Sequence, residues 1–579
     1  MESPDPNAER RLERRLVRKL DFILLPFLSI LFLFNSLDKS NIGSAETANF
    51  TKDIGLPASA LNISVACFYA VFVTLQPVGA ALGRKFGMAR YVPTCMFLWG
   101  ICTALHAAVK KEWQLIVLRT LVGTLEAGFY ATTVSYLSLF YTRYEFGRRL
   151  GMFYGQVAVA GAFGGLLSWA VFKHFPDQDL PADLNGMQHT TKPFRFRSWQ
   201  ILFLIEGLST VLIAFVGFFW LPHSAGTAWF LTPEERVHAE TRIHNDRAKN
   251  AVNDSIEDDE NEAVKIDGND DEDVVSRQNS TASHDSHNPY EEAHHLLESS
   301  NDRASIHSVT DDRGLSSNDI ISAFTDWKIW YILVCNVLSA IPATAFSVFL
   351  PIVVKGLVRS ESDVGETAEL PPATANLLTV PPFLAGAVVL WSFTAWSDLK
   401  HERLRPVLWG LVILLSGLTA TVLLPHKAYV PRYLALIVLL AGSFVPSPLT
   451  VAWLSNNTLE PGKRAVVLGI NGWGNLAGVL SALLFAPRYR SSGYILPFFV
   501  TLACVGVSFF GFLGFRAAIV AANKARAELL SNWEPERKAR EAKYGDVYVT
   551  LTSRNWMERL RGTGSPRRGE DRLTYQFAL

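Results

Sequence analysis

Residues 21–45 read DFILLPFLSILFLFNSLDKSNIGSA, and this stretch decides the fold class. From Phe22 to Phe34 it carries no charge, and only then does it turn polar, within what is still one continuous run. A helix needs roughly 20 mostly apolar residues to cross about 30 Å of hydrocarbon. Runs of that length and character recur at 60–83, 90–110, 113–141, 149–173 and 199–222, then at 327–356, 372–397, 405–425, 432–456, 464–487 and 493–521. The whole chain of 579 residues is 49% apolar and 12% aromatic, and its mean hydropathy is +0.17 despite a long polar tract near its middle. The 54 basic and 54 acidic residues cancel, which leaves no basic footprint for nucleic acid. The five cysteines all fall in apolar runs, without disulfide or metal-ligand spacing. No nucleophile-elbow, Walker or metalloprotease motif is present, and no small-residue cleavage pattern follows the first run. The expectation is an all-α integral membrane protein with twelve spans and the lipid bilayer as its surroundings. It is expected to have no enzymatic activity, cofactor or metal.

The spans group as six and six. Residues 1–20 form a tail, 21–223 a first six-helix half, 224–320 a polar connection, 321–521 a second half and 522–579 a second tail. Paired halves with a substrate site between them at the membrane midplane are the pattern of major facilitator transporters. Arg10, Arg11, Arg14, Arg15, Arg18 and Lys19 precede the first span, which places both tails in the cytoplasm. The connection contains the acidic blocks 257–263 and 267–273 and too few apolar residues to bury a core, so it reads as a disordered, solvated linker. His284, His287, His294 and His295 within it read as part of that solvated segment rather than as metal ligands.

Ionisable groups inside spans are costly and usually mark ion or substrate pathways. Span 1 ends in Asn35, Asp38, Lys39 and Asn41. Span 4 carries Arg119, Gly123, Glu126 and Tyr130 at spacings that share one stripe. A carboxylate at Glu126 stays charged in the membrane only if it is paired, and a carboxyl able to gain and lose a proton there is what proton coupling needs. The bland alternatives are an Asp38–Lys39 cap on span 1 and a static Arg119–Glu126 clamp. Gln76, Gln156, Glu206, Asn336, Asn471 and Asn475 are further polar positions, the last two four residues apart on one face. Glycines at 151, 155, 161, 164 and 165 make span 5 a close-packing helix.

Several runs go further. Leu37-Asp38-Lys39-Ser40-Asn41-Ile42-Gly43, Arg119-x3-Gly123-x2-Glu126-Ala127-Gly128, Ile205-Glu206-Gly207 and Phe230-Leu231-Thr232-x-Glu234-Glu235-Arg236 together resemble the anion:cation symporter family of the major facilitator superfamily, in its fungal allantoate permease-like branch. The second half agrees in Phe324-Thr325-Asp326-Trp327-Lys328-x-Trp330, Phe349-Leu350-Pro351, Leu378-Thr379-Val380-Pro381-Pro382 and Trp453-Leu454-Ser455-Asn456-Asn457. The resemblance spans about residues 19–520, the linker aside. It implies proton-coupled uptake of a small organic anion such as a vitamin, ureido compound or sugar acid. Asp38 and Glu126 would then carry protons, Arg119 would pair with these acids, and Lys39 would meet the substrate carboxylate. Asn35, Asn41, Tyr130, Gln156, Asn336, Asn471 and Asn475 would complete the substrate contacts. The gating loop motif would comprise Gly79, Arg84, Lys85 and Gly87, with a diverged copy at Asp398 and Arg403.

Two departures from the family pattern stand out. Lys39 replaces the usual Arg, exchanging a bidentate fork for a point charge, and Gly83 stands where many members have Asp. The resemblance further implies a monomer in the plasma membrane, or alternatively the vacuolar membrane, with protons and the anion as partners. Export of a metabolite by proton antiport is the alternative reading, although the Gly-Pro common in span 5 of drug antiporters is absent here. A nutrient sensor with little flux is a third.

Overall fold

The computed structural model describes residues 6–57, 59–137, 139–141, 149, 153–176, 196–243, 317–357, 360–361, 367–368, 370–400, 402–425, 428–458, 461–489, 493–544 and 569–578. A backbone in hydrocarbon must satisfy its own polar groups, and each apolar run accordingly closes into a helix. Twelve described helices are long and apolar enough to cross a membrane: α1 Arg11–Thr47, α2 Ala60–Gly83, α3 Met88–Ala108, α4 Glu112–Leu137, α5 Gln156–His174, α6 Ser198–Trp220, α7 Trp327–Gly356, α8 Pro372–Lys400, α9 Leu404–Leu423, α10 Tyr429–Asn456, α11 Gly462–Leu484 and α12 Ile495–Ser531. Large apolar side chains such as Phe219, Val388 and Leu423 remain outward-facing, as a lipid-contacting surface requires.

In the first half α3 packs along α6 and α2 along α4; in the second, α9 packs on α10 and α12. The halves meet along three seams: α1 on α7, α2 on α11 and α5 on α8. Four of the spans are interrupted, α8 among them, between Pro372–Leu377 and Val380–Lys400. The α4 span is regular over Glu112–Glu126 and again over Phe129–Leu137, with a turn between. The α10 span restarts at Pro446, whose missing N–H and ring cannot continue a helix. The α11 span passes through a tighter turn at Trp473–Asn475.

Parts of the connection and of the C-terminal tail are more ordered than their composition suggests. Residues 224–243, assigned above to the disordered linker, are folded: Ala228, Leu231 and Ala239 are buried, and 233–243 are helical. Lys19 Nζ lies 2.6 Å from Glu235 Oε2, and Arg242 reaches Glu13 at 3.7 Å, so this segment is the docking face of the N-terminal helix. Residues 317–320 also belong to a helix, Ser317–Thr325. The acidic blocks and the four histidines lie outside the described residues. In the C-terminal tail, residues 569–578 return to the ends of α7, α10, α11 and α12. Asn523 both donates to Phe577 O and accepts from Phe577 N, Trp453 Nε1 donates to Ala578 O, and Lys463 is ion-paired with Glu570 and Asp326.

Candidate functional site

The polar end of α1 stays helical to Thr47. Adjacent residues of a helix point about 100° apart, so Asp38 and Lys39 cannot pair with each other and face different neighbours. Asp38 turns to α3, where Thr103 Oγ1 donates to its Oδ1 at 3.0 Å. Lys39 turns to α4, with its ammonium 3.5 Å from Glu126 Oε2, 3.0 Å from Asn35 Oδ1 and 5.0 Å from the centre of the Phe72 ring. Glu126 is fully buried, whereas the Lys39 side chain is 21% exposed. Arg119 is buried, and its Nη1 donates to the backbone carbonyl of Asp38 at 2.9 Å.

The expected charges therefore assemble, but with different partners. Arg119 holds the α1 backbone rather than a carboxylate, and Lys39 is the ion-pair partner of Glu126. The seven residues between Arg119 and Glu126 put them about 10 Å apart along the axis, too far for the clamp considered from sequence. A small cavity of about 10 Å³, roughly the room one water needs, is lined by Lys39, Val65, Phe68, Tyr69, Arg119 and Val348. Ligand pockets run to about 300–1,000 Å³, so this conformation leaves no room for a substrate at its site.

From the second half, Asn336 Nδ2 donates to Asn471 Oδ1 at 3.3 Å, and both residues are buried. Asn475 does not join them, because the tight turn rotates it to donate to Gly472 O at 2.9 Å. Asn41 is buried, and neither of its amide atoms has a hydrogen-bond partner among the described residues. The break in α4 also separates Tyr130 from the Arg119–Glu126 stripe; its ring neighbours are Phe32 and Tyr154. Gln156 is the first residue of α5.

Of the loop residues, Gly87 takes φ +76° between α2 and α3, and Gly79 lets α2 approach Gly128 closely. A Cβ at Gly83 would lie 2.0 Å from Thr132 Oγ1, so an Asp would not fit there and the departure has a packing cause. Lys85 lies over the Phe86 ring. Arg403 pairs with Asp398 and also donates to Ser397 Oγ. The Arg84 side chain lies outside the described set.

The end of the bundle away from the chain termini, here termed the outer end, is closed across the seams. Lys355 Nζ donates to Thr47 O, and Asn376 Nδ2 donates to Thr47 Oγ1, both at 2.8 Å. Asn62 Nδ2 donates to Ala482 O and Phe485 O at 2.7 and 2.9 Å. Sequence reasoning missed these contacts, and it missed Thr103 and His106 on α3 as well. The buried His106 could have been flagged as an ionisable residue near the end of an apolar run.

A family model for the Major Facilitator Superfamily matches residues 28–482. A major facilitator-type transporter hxnP of Emericella nidulans is 29% identical over 511 residues, covering 86% of this chain and 84% of that protein. The MFS-type transporter efuF of Hormonema carpetanum is 30% identical, with 86% and 84% covered. The high-affinity nicotinic acid transporter of Saccharomyces cerevisiae is 26% identical, with 84% and 74% covered. Among solved structures, a bacterial homologue of the lysosomal transporter Spinster superimposes with a TM-score of 0.54 at 13% identity, covering 88% of this chain and 98% of that one. The Escherichia coli xylose transporter XylE gives 0.53 at 12% identity, with 85% and 96% covered. Both likenesses concern the fold.

Proposed function

The chain belongs to the Major Facilitator Superfamily, and from that premise we propose that it is a proton-coupled symporter of a small organic anion, working by alternating access as a monomer in the plasma membrane. The observation that carries this reading is the Lys39–Glu126 pair: a partly exposed ammonium on the cavity wall, held by a carboxylate with no exposure of its own. Breaking a buried pair leaves an uncompensated charge and costs about 3–5 kcal/mol. An anion arriving at Lys39 would therefore displace Glu126 most easily if Glu126 took up a proton in the same event. Anion and proton would load together and leave together, which is symport.

In this scheme Arg119, also on the cavity wall, is the second cationic contact, and its hold on the Asp38 carbonyl ties α4 to α1. Asp38 is the second proton carrier. The Asn336–Asn471 pair offers neutral donors and acceptors from the opposite half, Asn35 supports Lys39 from α1, and the uncommitted Asn41 amide is left for the substrate. Asp398 and Arg403, with the α2–α3 loop, would gate the cytoplasmic end. The yeast relative named for nicotinic acid supports testing pyridine carboxylates first.

The test is uptake into proteoliposomes from nicotinate, pantothenate, biotin, allantoate, sugar acids and dicarboxylates, at acidic and neutral external pH. One anion should accumulate faster as the outside is acidified, and Glu126→Gln should lose that dependence. Flux indifferent to the proton gradient, or a variant that remains proton-driven, would overturn the reading. Anion leaving as protons enter would establish export instead.

A further inference from the structure

We propose that Glu206 on α6 is a positioning residue that holds one resident proton, and that this proton balances the charge of the transport site through Arg119. The proposal rests on reading the Lys39–Glu126 pair as that site. Glu206 is 1% exposed, and neither carboxyl oxygen has a hydrogen-bond partner among the described residues. Glycine brings it there: a Cβ at Gly207 would lie 2.4 Å from Ala104 N and 2.7 Å from Gly100 O, so α6 lies directly on the α3 backbone. The charged groups facing Glu206 are Asp38 from α1 and Arg119 and Glu126 from α4. His106 from α3 faces Arg119, and its Nδ1 contacts the Cys102 carbonyl at 2.8 Å, which requires Nδ1 to carry the hydrogen.

Three carboxyls, Asp38, Glu126 and Glu206, thus share a buried cluster with two cations, Lys39 and Arg119. If all three were ionised with His106 neutral, the cluster would keep one uncompensated negative charge in low dielectric, which is severely penalised. One proton must therefore reside in the cluster before any transported proton arrives. Glu126 has the Lys39 ammonium at 3.5 Å, and Asp38 accepts from Thr103 with the Arg119 head group anchored on its own carbonyl. Glu206 has no donor at all, so the resident proton belongs there. Arg119 keeps Nε and Nη2 uncommitted for the anion. With Glu206 neutral, the remaining two carboxylates and two cations balance before any anion or transported proton enters.

The experiment compares wild type with Glu206→Gln and Glu206→Asp in lipid vesicles, by infrared difference spectroscopy from mildly acidic to alkaline pH and by nicotinate exchange at equal pH on both sides. Wild type should show a protonated-carboxyl C=O band at neutral pH that Glu206→Gln removes. Glutamine mimics the neutral acid, so exchange should stay within about twofold of wild type at neutral pH. It should also persist into alkaline conditions where wild type declines as Glu206 ionises. A merely structural side chain would not shift that alkaline limb. The proposal is overturned if the band is absent from wild type or unchanged in Glu206→Gln. Inactive Glu206→Gln beside active Glu206→Asp would likewise overturn it, since that pattern marks an ionised carboxylate. If Glu206→Gln does not fold, a displaced band in Glu206→Asp supports the proposal and an undisplaced one refutes it. Should wild type exchange no nicotinate, the substrate reading fails while the infrared band still decides Glu206.

Discussion

Gly43→Ala is a one-methyl perturbation with a large expected consequence, because Gly43 lies on the seam between the halves. A Cβ at Gly43 would stand 1.7 Å from the backbone oxygen of Val348 on α7 and 2.8 Å from its carbonyl carbon. Ordinary contact begins near 3.4 Å, so the two backbones must part by about 1.7 Å. One turn further along α1, Thr47 takes its 2.8 Å hydrogen bonds from Lys355 and Asn376, and an opening of that size breaks both. Two hydrogen bonds at about 1 kcal/mol each, with overpacking at about 1–3 kcal/mol, put roughly 3–5 kcal/mol against the outer-closed state. At 1.4 kcal/mol per tenfold, that is a population shift of about two to three and a half orders of magnitude. The assay is a spin-label distance between Lys52 on the first half and Thr374 on the second, both exposed at the outer end, in a background without the five native cysteines. Gly43→Ala should lengthen the distance distribution and depress anion exchange by about a hundredfold while the protein remains folded. An unchanged distribution with full exchange would refute the claim that this seam is the closed outer gate.

Three further outcomes are expected. Lys39→Ala should lower kcat/KM for the transported anion by about 30- to 150-fold, corresponding to roughly 2–3 kcal/mol once the partial exposure of Lys39 is allowed for. Lys39→Arg should recover most of that loss, and uptake kinetics of the two variants will tell. Deleting residues 569–579 removes the paired hydrogen bonds of Asn523 with Phe577, those from Arg526 to Tyr575 O and Trp453 to Ala578 O, and the Glu570 partner of Lys463. Thermal unfolding in detergent should then show a lower midpoint, and an unchanged midpoint would mean that the tail contributes nothing to the second half. Burial would raise the Glu235 carboxyl, but hydrogen bonds from Lys19 and the Thr232 backbone outweigh it and hold the group below its usual range. Docking of the N-terminal helix through this pair is therefore complete above about pH 4.3 and is lost as pH falls through the depressed value. Proteolysis of the tail should accelerate only in that acidic window.

The twelve spans were legible because hydrocarbon imposes a length and a composition that no soluble helix needs. Asp38, Lys39, Arg119 and Glu126 were legible for the related reason that charges in such runs are rare. Which charge meets which was not legible. Periodicity orders residues around one helix but does not say which neighbour each face meets, so Lys39 on α1 was not foreseen as the partner of Glu126 on α4. The break after Glu126 had no clear signal, since Ala127-Gly128 fits a continuous helix as well as a turn, so Tyr130 was read onto the Arg119–Glu126 stripe. Asn475 was misplaced for the same reason, by the turn in Trp473–Asn475. Thr103 could not be singled out because threonine is common in membrane helices. The docked tail 569–578 was hidden because its receptors, Asn457, Lys463, Asn523 and Arg526, are scattered over separate helix ends.

The positions found and missed bear on how protonation could move the protein. The charged groups of the cluster all come from the first half, while the buried Asn336–Asn471 pair of the second half is neutral. Rocking the second half therefore need not drag a charge through the membrane. Coupling then needs an element that both senses the cluster and closes the gate, and α1 is placed to do so. Asn35, Asp38 and Lys39 lie in the cluster, while Gly43 and Thr47 lie in the outer seam, all on the single regular helix Leu25–Thr47. From Lys39 to Thr47 is about 12 Å of continuous helix, too short and stiff to absorb a local rotation. If loading Glu126 with a proton frees Lys39 to turn toward an anion, the same movement of α1 reaches Thr47 and its two inter-half hydrogen bonds. Gly43→Ala and Lys39→Ala should then be energetically coupled although they touch different partners. In the double variant, the shift of the outer-end distance should differ from the sum of the single shifts by more than the ~0.5 kcal/mol expected of independent sites. Simple additivity would mean that the charge cluster and the gate respond separately and that another helix joins them.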